Sequence, residues 1–325
     1  MPEKNILLEN LPKQLSLESP LELVEHVDDF LGEPHGFGSF LFNTNGQILL
    51  NNGMTWLYTT ALTDGKWESW ARPFHVDTMK TGPAERVLVS MPEDLRGAVL
   101  HHVIRISPDF AVGFFSNGKG IRAATAHRPN AYFQRDLTFM IDPVKGWETR
   151  NGNSEVWALE ANGAFVNIHE DDHTVIFWEG YDSYQATGKL GDLAWVKIKI
   201  DKHQRRISNL ERHPGNPLRF RDSTWSCARC GGNLSGSIRI DGKYGFFYYF
   251  RPINSSDVFI ALALCRDPLF QKDVTHYLVD HMRGREMVAE KFQAVMKGRE
   301  LLLFSENRLK DGAWYTGLRR FLILK

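Results

Sequence analysis

Acidic, imidazole and guanidinium side chains in this chain of 325 residues gather where apolar strands are about to begin. Glu33 and His35 stand just before Gly36-Phe37-Gly38-Ser39-Phe40, His101 and His102 just before Val103-Ile104, and Glu160 just before Ala161-Asn162-Gly163. A carboxyl group and an imidazole at one site can divide a proton transfer, one donating to a departing oxygen while the other accepts from water. An unperturbed imidazole pKa of about 6.5 suits either role. Arg72, Trp157, Arg229 and Asn233 are the candidates for holding a substrate. Guanidinium groups fork onto oxyanions, and indole faces stack on apolar ring surfaces. Trp67, Trp70, Arg72 and His75 form one aromatic and basic run of this kind.

Cys227-Ala228-Arg229-Cys230 offers two thiols of the four ligands that a structural zinc needs. A metal ion completed by His35, His101 or His102 is therefore a candidate cofactor, with its ligand set left open. Gly118-Lys119-Gly120 has no strand–loop–helix setting, so no phosphate cradle is expected, and no serine elbow is present. Cys265 lies inside an apolar run and is expected in the core.

These residues are placed by a repeat. An apolar strand, a tight polar turn and a second apolar strand recur at 38–50, 102–115, 164–178, 235–250 and 292–304. The turns near residues 45, 108, 171, 241 and 298 fall 63, 63, 70 and 57 residues apart. Asn-Gly, Asp-Gly and Ser-Pro-Asp supply turn geometry through positive φ or a preset proline φ. Further strands follow at 55–62, 120–125, 193–200, 258–264 and 314–318. About 60 residues suit four strands and their loops. Phe133-Gln134-Arg135-Asp136 and Phe270-Gln271-Lys272-Asp273 repeat one motif 137 residues apart. The expected fold is all-β, a five-bladed β-propeller over 33–325, with an irregular β-sandwich as the alternative. Ser19-Pro20-Leu21-Glu22 resembles a capped helix start, so residues 1–32 are expected to form an extension with a short N-terminal helix at about 20–31. That helix would pack on the propeller or join subunits, Ile6-Leu7-Leu8 would close the last blade, and 274–282 is either helix or strand.

The blade pattern of Lys119-Gly120-Ile121-Arg122-Ala123-Ala124-Thr125-Ala126, Phe259-Ile260-Ala261-Leu262-Ala263 and Asp241-Gly242-Lys243-Tyr244-Gly245-Phe246-Phe247-Tyr248-Tyr249 resembles the five-bladed propeller glycosidases of family 43 and their relatives. The likeness runs from about Pro34 to Phe321. It implies an acid at the start of the first blade as base or nucleophile, a second acid as modulator, and a glutamate on a later blade as general acid. Glu33 is the nearest acid to the first position. His101-His102 and Gly232-Asn233 stand where acids would be expected, and relatives thought to use a histidine as acid put His35, His101 or His102 in that role. The resemblance implies a glycosidase-like enzyme acting on a sugar or sugar-like small molecule in a central funnel. The alternatives are a lyase, isomerase or cyclase using a His/Arg pocket, and a non-catalytic propeller binding carbohydrate or protein.

Composition narrows the partners. Lys and Arg number 39 and Asp and Glu number 39, which argues against a nucleic-acid surface. No apolar run is long enough for a membrane span, and Met1-Pro2-Glu3-Lys4 does not open a signal peptide, so a cytoplasmic protein with a small-molecule or carbohydrate ligand is expected. Three Cys do not make a disulfide framework.

Overall fold

The computed structural model describes residues 15–142 apart from 45 and 96, then 159–160, 165–166, 173–180, 192–214, 227–252, 257–267, 273–282 and 288–324. Every element in the described residues is a strand. Two precede the repeats, β1 (Leu15–Ser16) and β2 (Leu21–Val27). The first unit holds β3 (Gly36–Phe42), β4 (Met54–Thr63), β5 (Lys66–His75), β6 (Lys80–Thr81) and β7 (Glu85–Leu88). The second holds β8 (Val99–Ser107), β9 (Phe110–Ser116), β10 (Ile121–Ala126) and β11 (Gln134–Ile141). In the third are β12 (Leu159–Glu160), β13 (Phe165–Val166), β14 (His173–Gly180), β15 (Asp192–Asp201) and β16 (Arg206–Arg212). The fourth comprises β17 (Cys227–Ile240), β18 (Lys243–Pro252), β19 (Val258–Cys265) and β20 (Thr275–Met282), and the fifth β21 (Val288–Lys297), β22 (Glu300–Arg308) and β23 (Trp314–Ile323). Each unit is an antiparallel meander. The first two are joined into one sheet by parallel pairing of β3 with β8.

The period of two explains how the units stack. On β22, Leu302 and Phe304 enter a core with Phe37, Phe40 and Phe74 of the first unit, while Leu301 and Leu303 enter another with Phe247 and Ile260 of the fourth. On β9, Ala111 and Phe115 face the first unit's Tyr58 and Ala71, while Val112 and Phe114 share a core with Val196 and Ile198 of the third. A strand buried on both faces reads as a continuous apolar run, as in Glu300-Leu301-Leu302-Leu303-Phe304. The Asp64-Gly65 and Asp241-Gly242 turns both have positive φ at their two central residues, the geometry that follows the twist of a two-residue hairpin.

Two expectations are corrected, and one left open is decided. Residues 21–27 form β2, not a helix, and pair antiparallel with β23. The Ser19 hydroxyl accepts from the Leu21 amide (3.0 Å) as a cap would. The chain then stays extended, because the outer edge of the last unit offers a full ladder and Leu23 and Val24 find no common buried stripe. Those residues belong to the fifth unit, which they complete. The hairpin expected at 38–50 shrinks to a bridge between Phe42 and Ile48, and the long partner of β3 is β4. The segment 274–282 is strand β20, held between β19 and β1. Residues 6–8 lie outside the described residues.

The inner strands β3 and β8 pair only at Leu41↔Val103 and Phe42↔Ile104, and the ladder does not continue to their leading ends. Where it stops, backbone groups need other partners, and a buried amide without one is costly. Gln293 on β21 repairs this: its Oε1 accepts from the Phe40 amide (2.8 Å), and its Nε2 donates to Ser39 Oγ (3.3 Å) and to the His101 carbonyl (3.4 Å). Nearer the leading ends, Gly38 passes so close to β8 that a Cβ there would stand 2.6 Å from the Leu100 carbonyl oxygen. Replacing Gln293 with Leu preserves volume but orphans the Phe40 amide. Urea unfolding should show a loss of about 1–3 kcal/mol, and an unchanged midpoint would refute this role.

Candidate functional site

The leading end of β3 is approached by residues 28–35, which descend from β2. Phe30 anchors this link, packing edge-on against Phe74 (6.0 Å) and Phe304 (5.6 Å), while its amide donates to the Thr316 carbonyl (2.7 Å). Thr316 Oγ1 donates in turn to the His35 carbonyl (2.9 Å). Glu33 and His35 are thereby fixed over the first unit. Arg72 of β5 forms an ion pair with Glu33, the guanidinium side chain being 9% exposed and the carboxylate 41%. The His35 ring lies edge-on to Trp70 (6.0 Å), and its Nδ1 is 3.4 Å from Thr59 Oγ1. Arg86 covers the Trp70 ring at 5.9 Å. Burial, then the Arg72 charge, pushes the His35 pKa below its ordinary value, with Glu33 acting in the opposite direction. Arg72 Nε and Trp70 Nε1 find no acceptor among the described residues.

A second polar centre lies beside the first residue of β3. Glu306 of β22 is almost fully buried; it accepts from Thr60 Oγ1 (2.9 Å) and forms an ion pair with Lys291 of β21. Gly36 makes room for it: a Cβ there would overlap the Glu306 carboxylate and stand 2.6 Å from Thr60 Oγ1. Lys291 has φ of 55° in a bulge between Glu290 and Gln293. Bulges of this kind re-aim a side chain, and here the ion pair with Glu306 compensates the strain.

His101 and His102, expected beside the catalytic groups, are core residues. His101 Nε2 is 2.8 Å from Ser116 Oγ, and the His102 ring packs 5.2 Å from Phe42. Burial holds both imidazoles neutral. It takes His102 down to about 3, and it lowers His101 well below 6.5 with help from the charge of Lys291.

Of the residues selected from the sequence, Glu33, His35 and Arg72 come together. Glu160 pairs in register with Glu179 on β14, while Arg229 and Asn233 lie on β17 opposite Arg251 and Phe247. The side chains of Glu160, Arg229, Asn233, Cys227 and Cys230, and all of Trp157, lie outside the described residues. Cys265 is buried as expected. Among the described residues no group of three or more His, Cys, Asp or Glu could hold a metal ion. Glu306, Lys291, Thr60 and Gln293 were not singled out from the sequence. Their signal was polarity inside runs otherwise apolar, as in Ala289-Glu290-Lys291-Phe292-Gln293 and Leu303-Phe304-Ser305-Glu306.

No protein-family model matches the sequence, and no curated protein matches it. Solved structures do share its shape. A levansucrase of Bacillus subtilis superposes with a TM-score of 0.60 at 10% identity, over 99% of this chain and 91% of that one. A levansucrase variant in complex with sucrose gives 0.60 at 11% over the same shares. A levansucrase variant of B. megaterium gives 0.51 at 12%, over 94% of this chain and 86% of that one.

The two neutral core histidines set an acid limit on stability. Each is unprotonated when folded and takes up a proton near pH 6.5 when unfolded, so their contribution is complete above that pH and drains away as pH falls. Stability should decline from pH 6.5 toward pH 4 with a slope approaching about 1.4 kcal/mol per pH unit for each histidine. His102→Leu should flatten that slope in thermal unfolding, and an unchanged slope would refute the assignment. At identities this low, the levansucrase likeness establishes one thing: the chain has the all-β fold of the propeller glycosidase-like enzymes.

Proposed function

We propose that the chain is a carbohydrate-active enzyme that cleaves or transfers a glycosidic bond at the leading end of β3. The reading takes residues 33–325, closed by β2, as a five-bladed propeller. It is supported by the stacking order fourth, fifth, first, second, third, and by the placement of β13 of the third unit beside β17 of the fourth. The observation that carries the function is the meeting of Glu33, His35 and Arg72 where the first and fifth units adjoin, in a fold shared with levansucrases, one of them solved with sucrose.

Glycosidic cleavage passes through a cationic sugar ring, which a carboxylate stabilises or attacks while an acid protonates the departing oxygen. Glu33 is the carboxylate: it is the more exposed partner of its pair, and Arg72 fixes its position without removing it from solvent. His35 is the acid. Thr316 holds its backbone and Trp70 its ring. Its lowered pKa makes the imidazolium a stronger donor than a solvent-exposed one.

Sucrose and a panel of p-nitrophenyl glycosides provide the test. Glu33→Gln should lower kcat by roughly 10³-fold and His35→Ala by about 10²–10⁴-fold, with the β-sheet signature in circular dichroism retained. Because the acid must be protonated, activity should fall as pH rises through a value below 6.5, and His35→Ala should abolish that limb. Turnover in which both variants match the parent would overturn the reading.

A further inference from the structure

Two strands grip His35, and both carry an indole beyond the point of contact. β5 does so through Trp70 and β23 through the Thr316 hydroxyl. β5 runs parallel to β3, since each is antiparallel to β4, so its first residues lie at the same end as Gly36. Trp67 stands three residues before Trp70, and Trp314 two residues before Thr316. At the rise of an extended strand these offsets are about 10 and 7 Å. There the two indoles, 247 positions apart in sequence, meet edge to face with ring centres 6.4 Å apart.

Each ring is half-buried, and neither belongs to any of the three apolar cores that hold the units together. Between the first and fifth units aromatic rings are consumed by stacking: Phe37, Phe40, Phe74 and Phe304 contact one another and are closed to solvent. The Trp67–Trp314 pair differs in keeping exposed surface and in standing above the only described cluster that combines Glu, His and Arg at the leading end of β3. Along the two strands it lies about 7–10 Å beyond the residues that touch His35. A T-shaped pair presents one indole face and one indole edge, and a pyranose or furanose ring offers C–H groups to the face and hydroxyls to the indole N–H.

We propose that Trp67 and Trp314 form a stacking subsite for the sugar ring next to the one whose bond lies at Glu33 and His35, so that the substrate is an oligosaccharide. This rests on the carbohydrate reading of the preceding subsection. The subsite adds binding and positions the chain; it touches no transferred proton.

Isothermal titration tests it with the trisaccharides 1-kestose, xylotriose and arabinotriose against fructose, xylose and arabinose. At least one trisaccharide should bind ten-fold or more tightly than its monosaccharide, with quenching of tryptophan fluorescence. Trp67→Ala and Trp314→Ala should each remove most of that excess and leave the monosaccharide affinity unchanged. Trp67→Phe and Trp314→Phe keep an aromatic face and should retain most of it, which separates loss of stacking from loss of folding. If the trisaccharide has no advantage, or the alanine variants keep it, the subsite is refuted while the site at Glu33 stands. If no sugar binds the parent protein, the carbohydrate reading fails and the subsite with it.

Discussion

The side-chain amide of Gln293 stands where three units meet, and the leading end of β3 owes its shape to it. Backbone groups left without partners in a dry interior are a standing penalty. β3 and β8 keep two residue pairs and lose the rest. Gln293 replaces what is lost with one acceptor for Phe40 and one donor group shared by Ser39 and His101. An amide is suited to this because it donates and accepts from one planar group. Gly38 permits close approach of the two strands, and Gly36 leaves room for the Glu306 carboxylate. The leading end of β3 is thus shaped by backbone geometry.

Charge at the leading end of β3 is handled in two ways. Lys291 and Glu306 are both buried, paired with each other, and Thr60 adds a hydrogen bond. Breaking such a pair leaves an uncompensated charge and costs about 3–5 kcal/mol. Its effect is architectural: it ties the fifth unit to the first residue of β3. Arg72 and Glu33 form a graded pair, with the guanidinium buried and the carboxylate reaching solvent. This is the arrangement a reactive carboxylate needs, fixed in position yet accessible. His35 lies close enough to feel both charges, its basicity reduced by burial and by the neighbouring guanidinium.

Much of this was legible in the sequence, for physical reasons that differ from residue to residue. Turn chemistry and continuous apolar runs are local signals, so the strands around Asp241-Gly242 and the run Leu301-Leu302-Leu303-Phe304 were readable. Glu33 and His35 drew notice because they flank the first apolar run, and Arg72 because it lies in an aromatic cluster; the structure brings the three together. Residues 21–27 misled because a capping pattern is satisfied by the same Ser19–Leu21 contact whether the chain coils or extends; the vacant edge of β23, nearly 300 residues away, decided between them. His101 and His102 misled because adjacent histidines before a strand look alike whether they face a funnel or a core. The bulge between Leu100 and His102 settles their direction, and bulges leave no residue pattern. Gln293 and Glu306 act across units, through partners distant in sequence.

The central claim is that a sugar is bound and processed at the leading end of β3, between Glu33 and His35. A crystal of the Glu33→Gln protein soaked with an oligosaccharide tests it most directly. The account predicts a sugar ring with an oxygen within about 3 Å of the residue 33 side chain and another within about 3 Å of the His35 ring. Sugar density elsewhere on the molecule, with residues 33 and 35 uncontacted, would contradict it.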